Sequence, residues 1–250
     1  MGDARSTTAA VKAQIVRLGG SFMRSREAKE YSRQTGLQGW GPYMRGRCGV
    51  LGDVDADVVA AAAGFFAAEV VRESWEQGRD VPAAQTAQGY ARVCQEHGRR
   101  RLAGFADADR LAELLEIVAR QADVAGAPLF AGWRAMPLPP DGPARALQLA
   151  HVLRELRGAR HLTAVLASGL TPLEAILSGD SQLTENSPDQ ARYFGWPEPY
   201  PEVRDEIRAR RAQAEKLTDE LTTPAFAVLS EAESDELITL LDKACATAFT

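Results

Sequence analysis

Leu153-Arg154-Glu155-Leu156-Arg157-Gly158-Ala159-Arg160-His161-Leu162, continued by Ala164-Val-Leu-Ala-Ser-Gly169-Leu170, decides how this chain folds. Leu149, Val152, Leu153 and Leu156 recur at i, i+3, i+4 and i+7, the spacing of one buried helix face. His151, Arg154, Arg157 and His161 follow an i, i+3, i+6, i+10 track, and Glu155 stands four residues after His151. A polar stripe of this kind beside an apolar face must be satisfied from within the protein or by a ligand. The pattern predicts helices over 144–157 and 161–167, with Gly158 between them.

Working outward, the same period dominates. Val54 to Trp75 reads as a helix opened by the acids of Asp53-Val-Asp-Ala-Asp57, which suit a helix N-terminus. Further helices are expected over 82–101, 108–124, 173–177, 201–222 and 231–246. Alternating strand patterns are almost absent, so the expected fold is mainly α with little or no sheet. Pro137-Leu-Pro-Pro-Asp-Gly-Pro143 is the best linker candidate.

The two halves look alike. Thr35-Gly36-Leu37 sits where Ser168-Gly169-Leu170 sits, 133 positions later, and Glu113-Leu114-Leu115 matches Glu236-Leu237-Ile238, 123 positions later. Loop deletions in one copy would produce such drift. This suggests a duplication, with one repeat over 1–125, a Pro/Gly-rich connector over 126–143 and a second repeat over 144–250.

The closing segment, Lys216-Leu-Thr-Asp-Glu-Leu221 with Leu229-Ser-Glu-Ala-Glu-Ser-Asp-Glu-Leu237, resembles the C-terminal helix pair of MarR-type winged-helix regulators. Over most of 27–245 the chain resembles a little-characterised actinobacterial family of tandem, degenerate winged-helix proteins. That family shows an Arg-Glu-x-Arg-Gly-x-x-His pattern, here Arg154 to His161. Tyr43, Arg47, Leu51-Gly52 and Val58-Val59 match a second motif. Two departures stand out. Gly64-Phe65-Phe66-Ala67-Ala68 replaces an Asn-Phe-Asn-Pro element, and Gly195-Trp-Pro-Glu-Pro-Tyr-Pro201 runs into a charged helix where a wing is expected. The second wing looks deleted.

Over 250 residues, 29 Lys+Arg stand against 34 Asp+Glu, a net charge of −5. The first 125 residues carry 17 basic and 16 acidic groups, a net of +1, and the rest carry 12 and 18, a net of −6. Duplex binding needs several phosphate neutralisations and an exposed polar recognition helix. The equivalents here, 54–66 and 188–194, are apolar, acidic or short, so DNA is an unlikely partner on sequence grounds. Three cysteines, no signal-peptide core and no long apolar run predict a cytoplasmic protein with reduced thiols and no membrane span.

The candidate site is a cleft between the repeats. Arg154, Arg157, Tyr43 and Arg47 are the expected substrate-binding groups, because guanidinium forks hold carboxylate or phosphate bidentately. His161, Glu155 and His151 are the expected proton-moving groups. Gly39, Gly41, Gly46, Gly49 and Gly52 around Tyr43 and Arg47 suggest a loop closing over a pocket. No cofactor or metal motif is present; Cys94-Gln-Glu-His97 lacks a second ligand pair, and the acids at 107–116 suit a helix N-terminus. The leading reading is a cofactor-free biosynthetic or tailoring enzyme of natural-product metabolism acting on a small polar or anionic molecule by elimination, substitution or cyclisation, alone or with a partner subunit. The alternatives are a ligand-responsive DNA-binding regulator, a metabolite-sequestering resistance protein, and a polar network that ties the repeats together without a ligand.

Overall fold

The computed structural model describes residues 4–180 and 184–250, and no strand occurs among them. Its axis is the 26-residue helix Gly142–Ala167, which at 1.5 Å per residue is about 39 Å long. The side chain of Asp141 accepts a hydrogen bond from the Ala144 amide, and Pro143 stands in the first turn, where no donor is needed. Gly158 does not interrupt it; the two helices expected on either side are one, because packing along the apolar stripe outweighs the propensity cost of a single glycine. The helix stops at Ser168, where Gly169 has a φ of +70°.

In chain order the helices are α1 (Ala4–Gly20), α2 (Arg26–Thr35), α3 (Gly41–Cys48), α4 (Ala56–Ala63), α5 (Ala68–Glu76), α6 (Ala83–Arg101), α7 (Ala108–Gln121), α8 (Pro128–Ala135), the axial α9, α10 (Pro172–Leu177), α11 (Ser187–Tyr193), α12 (Asp205–Thr222) and α13 (Glu231–Ala248). The expected helix over 54–75 is two, broken at Gly64, whose φ of +59° and capping turn end α4.

α1, α6, α7, α8 and α12 pack around α9, and α13 lies against α1 and α7. One core runs through them, from Val11 and Leu18 through Leu111, Leu115 and Leu153 to Leu237 and Leu241. It crosses the expected boundary between the repeats, so α9 supplies core to helices of the first half. The expected connector also carries packed structure. Residues 128–135 form α8, Phe130 and Trp133 are fully buried, and the Trp133 indole donates to the Arg47 carbonyl at 3.0 Å.

Close helix contact is bought with glycine. A Cβ on Gly98 of α6 would lie 2.6 Å from the Pro143 carbonyl oxygen and 2.9 Å from the Leu147 Cβ. The clash is with backbone and a buried stem, so a rotamer change cannot relieve it. Gly98→Ala is expected to cost about 1–3 kcal/mol, the range for overpacking. Urea unfolding would read this as a lower midpoint at unchanged slope.

A second layer lies to one side of α9. Met44, Val59, Val71 and Trp75 form one small core, and Ile176, Leu177 and Ala191 form another. Phe66 and Phe194 join them, with ring centroids 4.6 Å apart. The Ala67 amide donates to the Phe194 carbonyl at 3.0 Å, and the Trp196 indole donates to the Phe65 carbonyl at 2.9 Å. The turn between α4 and α5 thus meets α10 through Phe65 and the end of α11 through Ala67.

Candidate functional site

The segment around Tyr43 and Arg47, expected as a loop, is helix α3 and the 3-10 turn Gly49–Leu51. Its glycines serve packing. A Cβ on Gly46 would lie 2.7 Å from the Tyr90 ring, and one on Gly49 would lie 2.5 Å from the Ala83 carbonyl oxygen. α3 therefore sits hard against α6, and Arg47 is carried inward to α9.

There Arg47 meets Glu155 in a bidentate pair: Nε donates to Oε1 at 2.9 Å and Nη2 to Oε2 at 2.8 Å. Arg154 Nη1 donates to the same Oε1 at 3.1 Å. Glu155 is 1% exposed and Arg47 9%. Burial pushes the Glu155 carboxyl up, but Arg47, by charge and hydrogen bonds, outweighs it and holds the pKa at about 2. Two guanidinium groups share one carboxylate, so the cluster keeps a surplus positive charge.

Buried polar groups surround it. The Tyr90 hydroxyl is buried and unbonded, and the buried His151 ring meets the Gly19 backbone and makes no side-chain hydrogen bond. His151 Nε2 lies 3.7 Å from Glu155 Oε1, beyond hydrogen-bond reach. The His151 ring meets Trp133 and Phe22 edge-on, at centroid distances of 4.4 and 5.1 Å. Burial holds its pKa down at about 3 despite the nearby carboxylate. Burial raises the pKa of Tyr43 and of Tyr90, while Arg47 and Arg154 pull both the other way.

The expected stripe splits along α9. Tyr43, Arg47, His151, Arg154 and Glu155 come together as the sequence suggests. Arg157 and His161 instead face α12. Arg157 Nη2 donates to Glu215 Oε2 at 3.0 Å, and His161 Nδ1 stands 2.9 Å from the Thr218 hydroxyl. Arg211 also bonds Glu215. His161 stacks on Phe65 at 5.4 Å, and burial lowers its pKa to about 4. These two residues join a separate ion-pair cluster. Arg157 lies about 60° around the helix from Arg154, and His161 lies about 20° around but nearly two turns, about 10 Å, further along, which brings both against α12.

Sequence reasoning passed over Tyr90, Trp133 and Arg45. Arg45 is fully buried, its guanidinium 4.1 Å over the Trp75 ring and bonded to the Val81 carbonyl. Tyr90 and Trp133 lie on elements read as a plain helix and a linker, with no local pattern to single them out. Elsewhere the acids at 107–116 form ion pairs, Arg110 with Glu113 among them, and His97 pairs with Glu27. No group of three metal-ligating side chains occurs among the described residues.

α4 and α5 are joined by Gly64–Ala67, the short glycine-containing connection of a helix-turn-helix. A family model described as "Helix-turn-helix family" matches residues 8–250. The chain belongs to that helix-turn-helix family. No curated protein and no solved structure gives a match. In this helix-turn-helix protein the expected recognition segment over 54–66 is not one helix: α4 ends at Ala63, and α5 begins after the turn at 64–67. α5 exposes Glu69, Glu73 and Glu76, and its Arg72 pairs with Asp57 and Glu69. On α11, Arg192 pairs with Asp189 and Glu198. Only residues 77–82 join α5 to α6, and 194–204 lead to α12 without a strand. Among the described residues, no helix is long and apolar enough to cross a membrane.

Proposed function

We propose that the protein binds a small anionic molecule at the junction of α3, α6 and α9. The observation that carries this reading is the shared carboxylate: among the described residues Arg47 and Arg154 have one carboxylate, Glu155, between them, beside the unbonded Tyr90 hydroxyl. A ligand carboxylate would balance the surplus charge and accept from that hydroxyl. Arg154 is the accessible member, 27% exposed at its side chain. A Cβ on Gly158, one turn further on, would meet nothing within 4 Å, which leaves open space beside it.

The same site suits cofactor-free acid–base chemistry in natural-product metabolism. Arg154 would clamp the anionic group, and neutral His151 would accept a proton during elimination, substitution or cyclisation. Glu155 would position the guanidinium groups rather than move protons. Tight binding without turnover would instead mark a sequestering protein. Calorimetry with a panel of small mono- and dicarboxylates tests the binding step. Saturable binding should weaken about tenfold or more in Arg154→Ala, the scale of one charge-assisted hydrogen bond. Equal affinity in both proteins would sink the proposal.

Family membership favours one further reading, a ligand-responsive DNA-binding regulator. Carboxylates on α5 argue against it, since they repel phosphate. Fluorescence anisotropy with mixed-sequence duplex at about 50 mM salt is expected to show no binding. Submicromolar affinity that falls with salt at a slope of several would establish the regulator reading instead.

We also read the chain as a duplication, because two short helices followed by two long ones recur as α4–α7 and α10–α13. The positive-φ glycines Gly52 and Gly169 precede them, 117 positions apart. That pairing lies nearer the 123 of the closing helices than the Gly36 pairing does.

A further inference from the structure

A groove of about 690 Å³ runs between α7, α8 and α9. This is within the range of cavities that hold drug-sized ligands, about 300–1,000 Å³. Met136, Leu138 and Val152 give it an apolar lining, and Arg120, Arg134 and Arg145 contribute three guanidinium groups. Two of these are neutralised: Arg120 pairs with Glu116 and Arg145 with Asp109. Arg145 Nε remains buried without a partner. Arg134 has no carboxylate partner among the described residues. Its Nη1 donates to the Ala122 carbonyl at 2.7 Å and the Ala119 carbonyl at 3.4 Å, and its guanidinium lies 5.1 Å from the Phe130 ring centroid.

We propose that this groove is a second ligand site, for an amphipathic carboxylate with an anionic head and an apolar body. The head pairs with Arg134, and the body covers the apolar lining. An unneutralised guanidinium at an apolar wall selects this class twice over. A neutral lipid leaves Arg134 without its anion, and a small hydrophilic anion leaves the lining wet. The fixed arginines also explain how a chain of net charge −5 attracts an anion here. This site stands whether or not the Arg154 junction binds a ligand.

Titration calorimetry with decanoate, below its micelle concentration, tests the proposal against decanol and decyltrimethylammonium. One saturable site per chain is expected for decanoate, with decanol at least about tenfold weaker and the ammonium weakest. Arg134→Gln should weaken decanoate about tenfold, and Arg134→Lys should restore part of the loss. Arg134 also caps α7, so each variant is checked by circular dichroism, and Arg120→Gln serves as a surface change that leaves the fold intact. Arg120→Gln should weaken binding severalfold by lowering the local potential, and Arg154→Ala should leave decanoate affinity unchanged. Equal affinities for decanoate and decanol would overturn the site, as would the absence of saturation. Loss of binding in Arg154→Ala with full affinity in folded Arg134→Gln would place decanoate in the other junction and overturn it equally.

Discussion

Glu155→Ala is expected to destabilise the protein by about 3–5 kcal/mol, the cost of stranding a buried charge. Arg47 donates two hydrogen bonds to Glu155, and both partners are buried. Without the carboxylate its guanidinium has no anion within the core, and Arg154 adds repulsion from the same side. For a chain of this size the loss corresponds to a drop in Tm of roughly 6–20 °C. Replacing both partners, as Arg47→Met with Glu155→Leu, removes the uncompensated charge and should recover most of the stability. The double-mutant cycle by urea unfolding then yields a coupling of several kcal/mol. A Glu155→Ala cost below about 1 kcal/mol would mean that water reaches the pair, contrary to its burial. An anion that fills the site should also rescue Glu155→Ala in part, and this links the stability measurement to the proposed ligand.

α6, α7, α12 and α13 begin and end within a few residues of the expected limits, whereas α1, 17 residues long, was not among the expected helices and α9 was expected as two. The short helices α3 and α8 were not legible. α3 and the turn after it contain Gly41, Pro42, Gly46 and Gly49, which read as a loop, and the approach of Tyr90 and Ala83 explains why small residues stand at 46 and 49. α8 hides within Pro- and Gly-rich sequence and owes its place to Phe130 and Trp133. At the site, the partners on α9 were legible from spacing, and the resemblance supplied Tyr43 and Arg47. The division of the stripe was not, because a three-residue track does not say where two neighbouring helices share its circumference. Nor could spacing show that Trp133 closes the back of the His151 ring, since the two residues lie on different helices.

Acid should unfold this protein well before its carboxylates are fully protonated, because burial holds its three histidines neutral, His97 against the pull of Glu27. Burial lowers His151 to about 3 and His161 to about 4, against 6.5 in the unfolded chain. Between those values the unfolded state binds a proton that the folded state does not, so stability rises with pH there and falls on acidification. The window is 6.5 down to 3 for His151 and 6.5 down to 4 for His161. Inside it each of these two costs about 1.4 kcal/mol per pH unit. From pH 6.5 to 4 the pair removes roughly 7 kcal/mol, comparable to the whole stability of many domains. Glu155, held at about 2, acts later: its contribution is present above about 4.5 and is lost as pH falls towards 2. Urea unfolding at pH 7, 6, 5 and 4 should therefore show a slope of about 2–3 kcal/mol per pH unit over the last three points. His151→Leu, which suits the aromatic cage of Phe22 and Trp133, should remove about half of that slope while leaving the His161 share in place. A wild-type slope under about 0.5 kcal/mol per pH unit would show that these rings already take up protons in the folded state. His151 would then be open to water rather than sealed behind Trp133.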